Sequence, residues 1–436
     1  MKSSEIDRTI LGNALHYGLP LSETPGSWEL PFDIDTLLAA KERRDHHNYE
    51  VSALLNEGAR LWKAVCSRCA EKAKKPLLLP LSAGLDSRAI LAGLRANDIP
   101  VHTMTYGVPG AFDYELAPQI ASAAGASNER LDLETVRITR EKLFDVAIRT
   151  HRPSLLLDMF FNHQVPERHG DRFSYINGFA GDALAGNNLR TAEGIHWQQA
   201  QQAFARWHQV SQTITLTDAT MDPLSALPSQ PLAEPNLLAS IQQLDFAVRQ
   251  QKMVRPIVCP PGVETITPFL DPEWCSFMLG LPMELRYDRA FFIDLFRRSF
   301  PTLFSMRSSA SGGLKLGASD SAIRRYRKTL RRRRRLRTRL KQVFPWVRVP
   351  PANRGWQYLD FRTLLRGKGP LAQLFAESMA HLDEQAFVPW IDAQALLRSH
   401  RQCEADHFKA LNVLFNLELL LAARRDLFEP GSADES

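Results

Sequence analysis

The chain has 436 residues, of which 44% are hydrophobic and 23% charged, a balance that supports a substantial buried core and excludes a disordered or fibrous chain. Its net charge of +6 is mild and partly gathered in one arginine tract, which argues against nucleic-acid binding along the whole length. Five cysteines form no disulfide framework, no apolar leader follows Met1 and no window of about 18 uncharged apolar residues occurs, so a cytoplasmic chain without export or a membrane span is expected.

Up to about residue 48 no apolar period is sustained, and Gly18, Pro20, Pro25, Gly26 and Pro31 punctuate the run, which predicts a connector. Residues 49–300 then read as one α/β domain, and 301–436 as a basic loop-and-helix region with C-terminal helices. Over 49–74, Val51, Leu54, Leu55, Ala59, Leu61, Trp62 and Val65 recur near helical spacing and predict a helix packed beside a sheet. Cys66 and Cys69 within it have metal-like spacing, but no second Cys or His pair accompanies them, and one turn of helix brings packing cysteines together equally well.

Leu77-Leu78-Leu79-Pro80-Leu81 reads as a buried strand, and Ser82-Ala83-Gly84-Leu85-Asp86-Ser87 as a tight turn of small residues opening a helix over 87–94. Such a turn is a phosphate cradle. Small side chains admit an anion to backbone N–H groups, the helix N-terminus adds partial positive charge, Ser82 and Ser87 offer hydroxyls, and Asp86 can hold Mg²⁺. The Gly-Lys-Ser/Thr ending of a Walker loop is absent.

Residues 100–106 predict a second strand ending at Gly107, 114–124 a helix closed by Gly125, and 129–133 a third strand. Thr105 lies at a strand's carboxyl end, within reach of a nucleotide there. The alternation predicts an α/β doubly wound parallel sheet with ligands at the carboxyl ends of its strands. Residues 173–177 predict a further strand running into Gly178-Phe179-Ala180-Gly181-Asp182-Ala183-Leu184-Ala185-Gly186. A second small-residue turn with an acid at its centre completes a two-sided clamp for Mg²⁺-pyrophosphate.

The first turn resembles the Ser-Gly-Gly-x-Asp-Ser PP-loop of the N-type ATP pyrophosphatases, with Ala83 in place of a glycine. The second resembles the Gly-Glu-Gly-Ser-Asp-Glu-Leu-x-Gly segment of asparagine synthetases. Gly262-Val-Glu-Thr-Ile-Thr-Pro-Phe-Leu-Asp271 resembles their Gly-Leu-Glu-x-Arg-x-Pro-Phe-Leu-Asp, 410–420 is similar to their C-terminal helix, and 11–20 faintly to the linker ahead of their synthetase domain. From about residue 75 to 425 the chain thus resembles the asparagine synthetase-like superfamily. The resemblance implies an adenine nucleotide alpha hydrolase-like fold and an ATP-dependent ligase that releases AMP and pyrophosphate while turning a carboxylate into an amide. It implies a nucleotide site made by Ser82, Ala83, Gly84, Leu85, Asp86, Ser87, Thr105, Gly178, Gly181 and Asp182, with Asp86 and Asp182 on Mg²⁺. It also implies a catalytic lysine, for which Lys315 in the loop 306–317 is the candidate and Arg307 the rival.

Three departures qualify the activity. Phe179 replaces the first glutamate of the synthetase segment and Ile266 the arginine of the later one, which implies a carboxylate other than aspartate, small or carrier-linked, and a less polar acceptor pocket. Lys2 stands where the family's glutaminase domain carries its cysteine, so ammonia or an amine is expected from a separate source. Arg324-Arg-Tyr-Arg-Lys328, Arg331 to Arg335, Arg337, Arg339 and Lys341 read as a solvated helix, with contact to an anionic substrate, RNA or an anionic membrane surface as the functional alternatives and Trp346, Trp356 and Tyr358 nearby for stacking. A tRNA-modifying PP-loop enzyme would suit that tract, although Pro268-Phe-Leu-Asp271 and the apolar C-terminal helix argue against it. A catalytically silent scaffold subunit would suit Ala83, Phe179 and the missing glutaminase segment.

Overall fold

The strand Leu77–Pro80 (β1) is apolar along its whole length because both faces of its sheet are covered: Leu77 and Leu79 enter one core and Leu78 the other. The computed structural model of the protein describes residues 6–21, 29–45, 50–187, 189, 196–319, 321–326, 328–329, 332, 336 and 359–429. With His102–Gly107 (β2), Ser127–Asp132 (β3), Ser174–Ile176 (β4) and Thr265–Ile266 (β5), β1 forms a five-stranded parallel sheet in the order β3-β2-β1-β4-β5. Leu78 pairs with His102 on one side and with Tyr175 on the other, so β1 lies at the centre. The fold is the expected doubly wound α/β sheet.

One face carries the helices Val51–Glu71 (α1), Asp86–Arg95 (α2) and Phe112–Ala123 (α3). The other carries Arg140–Arg149 (α4), Leu156–His169 (α5) and the late helices Pro370–Gln385 and Phe408–Ala423. On the first face Trp62 donates its indole N–H to Ala89 O (2.8 Å) and lies 4.7 Å from the Phe269 ring and 4.6 Å from that of Trp274, so α1 and α2 are locked together through one aromatic cluster. Cys66 (0% exposed) and Cys69 (4%) are buried in α1 and pack in the first core.

The expected connector contains a core helix. Arg8–Tyr17 is capped by Asp7 at its start and by Gly18, with φ of 80°, at its end, and Ile10 to Tyr17 are all buried. A helix covered on every side has no polar face, so it shows no amphipathic period in the sequence. Asp7 N donates to Phe428 O (2.8 Å) and Asn416 Nδ2 to Gly18 O (2.8 Å), tying the start of the described chain to its last helices. The expected 301–436 region is likewise divided: Leu303 and Phe304 complete the first core, whereas Leu371, Phe375 and the 410–421 stretch complete the second. Among the described residues no helix is long and apolar enough to cross a membrane.

Gly93 in α2 is where α1 presses closest, since a Cβ there would stand 2.8 Å from Trp62 Nε1 and closer still to Cys66 Sγ. Gly→Ala inside a helix ordinarily stabilises by about 1 kcal/mol. Here overpacking reverses the sign, and Gly93→Ala is expected to cost about 1–3 kcal/mol in urea unfolding.

Candidate functional site

The chain runs outward from β1 to β3 and then returns to β4 on the other side of β1, so the strand order reverses between β1 and β4. In an open parallel sheet this is where a crevice forms beyond the carboxyl ends of the strands. The turn after β1 and the turn after β4 face each other there across a cavity of about 370 Å³, with Ser82, Gly84, Asp86 and Ser87 on one wall and Gly178, Ala180 and Asp182 on the other.

The second turn is pressed onto Asp86. A Cβ at Gly178 would lie 2.8 Å from Asp86 Cβ, and one at Gly181 would lie 2.8 Å from Asp86 Cγ. Both positions therefore require glycine. Between them Ala180 takes a left-handed conformation (φ 65°), a strained state for a residue with a side chain. Asn177 pins the turn, accepting from Phe179 N (3.0 Å) and donating to Val258 O (2.8 Å).

Asp86 keeps a partial surface on the cavity, but its Oδ1 is cut off from solvent and accepts no hydrogen bond. Burial, with the Asp182 charge adding to it, pushes this carboxyl up to about 7, and Arg289 opposes the rise. Asp182 faces the Arg249 guanidinium at 3.6 Å, and Arg249 in turn donates to Asp245 Oδ1 at 3.1 Å. Asp245 is also held above the usual carboxylate range, chiefly by burial. Asp86, Asp182 and Asp245 thus outnumber Arg249, and an orphaned buried carboxylate oxygen fits a divalent cation. Two protein carboxylates with phosphate and water completing the shell is the ordinary way Mg²⁺ is held.

The cradle itself is anchored through Ala83. Its N–H donates to Asp113 Oδ1 (2.8 Å), and its carbonyl accepts from Arg88 Nη2 (3.0 Å), Ser308 Oγ (2.8 Å) and Ser309 N (3.0 Å). Ala83 is fully buried in the first core, so its methyl does not narrow the cavity. Gly84 N donates to Ser82 Oγ (3.1 Å), and Ser82 N donates to Ser87 Oγ (3.2 Å). No side chain caps the start of α2, which opens on the cavity and can receive phosphate oxygens.

Seven of the ten nucleotide-site residues expected from the sequence line this cavity, Ser82, Gly84, Leu85, Asp86, Ser87, Gly178 and Asp182, and Gly181 is pressed against Asp86 without lining it. Ala83 supports them from behind. Thr105 is buried within the sheet, donating to Leu81 O (2.9 Å) and accepting from Asn128 Nδ2 (3.1 Å), and it is not on the wall. Lys315 stands exposed on a small antiparallel hairpin, Arg307–Ser308 with Leu314–Lys315, also away from the wall. That hairpin reaches the cradle through Ser308 and Ser309, and through Arg88, which donates to both Arg307 O and Ala83 O. Arg307 donates from Nη2 to Tyr326 Oη (3.0 Å). Of the arginine tract Arg324, Arg325, Lys328 and Arg332 fall within the described residues and are exposed, the other cations of the tract lie outside them, and so do Trp346, Trp356 and Tyr358.

Sequence reading missed Arg88, Asp113 and the segment Asp245–Val254, a π-helix between Ser240–Leu244 and Arg255–Val258. It brings Arg249, Gln250 and Val254 to the cavity, and the Gln250 Oε1 there is buried without a hydrogen-bond partner. π-Helical turns recur at functional sites because they widen the backbone to aim side chains. The Asp245 and Arg249 spacing would have suggested a helix. No family model matches the chain, and no curated protein matches it at a significant level.

The raised Asp86 carboxyl has a consequence for stability. Its folded value of about 7 exceeds the ordinary 3.8, so the folded chain binds this proton more tightly and stability is lost as pH rises from about 4 towards 7. Asp86→Asn removes the buried charge. Its ceiling is about 4 kcal/mol at 1.36 kcal/mol per pH unit, reduced by water in the cavity, so the variant is expected to be about 1–3 kcal/mol more stable than wild type near pH 8. Urea melts across pH check this, and the gap should close below about pH 4.

Proposed function

We propose that the chain is an asparagine synthase-like, ATP-dependent ligase that adenylates a carboxylate with release of pyrophosphate and passes the acyl group to ammonia or an amine. The observation that carries this reading is the meeting of two acid-bearing small-residue turns at the switch point, one of them holding the Asp86 Oδ1 out of water and unpartnered. A cavity of about 370 Å³ falls within the range of nucleotide-sized sites.

In this account the ATP phosphates lie along residues 82–87, with the uncapped start of α2 and the Ser82 and Ser87 hydroxyls receiving their oxygens. Asp86 and Asp182 would hold Mg²⁺, which neutralises charge on the pyrophosphate as it leaves. Arg249 fixes Asp182 from behind and is itself fixed by Asp245. An oxygen of the substrate carboxylate attacks the α-phosphorus, and the bond from that phosphorus to the bridging oxygen breaks with its electron pair on pyrophosphate. The nitrogen nucleophile then attacks the acyl carbon, and AMP leaves as the amide forms and the nitrogen loses a proton. The chain's contribution is positioning and charge neutralisation. Phe179, almost fully buried on the cavity wall, keeps water from the acyl group. The carboxylate is a small or carrier-linked acid other than aspartate.

Pyrophosphate release from ATP-Mg²⁺, screened over carboxylates with ammonia, glutamine or amines, tests the reading. The expected result is release, with AMP rather than ADP, that depends on one carboxylate and falls about 100-fold or more in Asp86→Asn and in Asp182→Asn. Release of ADP, or turnover indifferent to both substitutions, would overturn it. Lys315→Ala separates the expected catalytic lysine from a surface cation: from its exposed position on the hairpin we expect a change of only a few-fold, and a loss of about 100-fold would return Lys315 to the reaction.

A further inference from the structure

Behind Phe179 lies a second cavity, of about 570 Å³, which shares Phe179 and Pro260 with the nucleotide cleft as a common wall. An acceptor pocket less polar than aspartate's was expected from a phenyl ring at this position. The ring is apolar, but the space behind it is not.

Lys252 and Arg255 extend into that space from the end of the π-helix, and Glu29 stands at its rim. Arg255 is exposed and donates to Gln251 Oε1 (3.1 Å), while Lys252 is half-buried between the charges of Arg152 and Glu29. Thr265 and Thr267, two residues apart and therefore on one side of an extended segment, add hydroxyls from β5 and its end. We propose that this cavity binds the acid that the cleft activates, and that it selects an acid carrying a second anionic group, which Lys252 and Arg255 hold while the reacting carboxylate passes Phe179 to the cleft.

Three observations support this. Among the described lining residues the cations Lys252 and Arg255 outnumber Glu29, so the cavity carries a local excess of positive charge beside a cleft lined by Asp86 and Asp182. Burial and Arg152 lower the Lys252 ammonium to about 8 against the opposing charge of Glu29, and an anion bound beside it would further favour the charged form. A volume of about 570 Å³ admits an acid larger than a free amino acid.

The proposal rests on the ligase reading, and the test separates the two. N-Acetylglutamate and N-acetylglutamine have nearly the same size and differ by one carboxylate. Their binding is measured by calorimetry in the absence of nucleotide to wild type and to Lys252→Gln, Arg255→Gln and the double variant, with ATP-Mg²⁺ binding followed in the same samples. The expected result is that the dianion binds wild type about tenfold or more tightly than the monoanion, that the preference disappears in the double variant, and that ATP binding changes less than about twofold. Equal binding of the two probes, binding of neither by protein that still takes ATP, or a preference that survives the double substitution would overturn the proposal. A dianion preference in protein that binds no ATP would instead remove the ligase reading and leave an anion site.

Discussion

The structure turns on one close approach, that of the Gly178-to-Asp182 turn to the Asp86 side chain. Parallel pairing of Leu77 with Ser174 and Leu78 with Tyr175 sets β1 and β4 in a register that brings their following turns together. Only glycine at 178 and 181 lets the turns touch. The result is a set of carboxylates in a crevice walled by protein, with Asp86 raised to about 7 because it is desolvated. Such an arrangement is unfavourable in the empty chain and becomes favourable when positive charge enters.

The rest of the fold absorbs that cost. Two cores, one on each face of the sheet, hold β1 at the centre, and both close only when distant segments arrive: Leu303 and Phe304 on one face, the helices Pro370–Gln385 and Phe408–Ala423 on the other. Ala180 in a left-handed conformation and the π-helix over Asp245–Val254 are local departures from good backbone geometry, and both border the cavity. Natural chains tolerate such departures where function needs them and the scaffold overdetermines the backbone. Arg88 illustrates the support. It is fully buried and donates to the carbonyls of Ala83, Leu303 and Arg307, so one side chain ties the cradle to a segment more than two hundred residues away.

What the sequence disclosed follows from the range of the interactions involved. The strand 77–81, the two small-residue turns and the helix after each strand are local patterns, and the sheet, its winding and the facing of Asp86 and Asp182 were legible from them. The helix Arg8–Tyr17 was not, because burial on all sides removes the period that marks a helix. Thr105 read as a nucleotide contact because it ends a strand, but its hydroxyl is already engaged with Leu81 O across the sheet. Lys315 read as catalytic from its loop, and its hairpin leaves it facing solvent. The π-helix and the Arg249 pairing with Asp182 arise from backbone widening and tertiary contact, which no spacing rule encodes.

The central claim is that Asp86 and Asp182 together receive a nucleotide-bound Mg²⁺ at the switch point. Its most direct test is equilibrium binding of α,β-methylene-ATP, which cannot be split at the reacting bond, to wild type, Asp86→Asn and Asp182→Asn with and without Mg²⁺. The expected result is that Mg²⁺ tightens binding to wild type by about tenfold or more, and that either substitution removes this gain while leaving Mg²⁺-free binding no weaker. Binding that ignores Mg²⁺ in wild type, or a Mg²⁺ gain that persists in both variants, would contradict it.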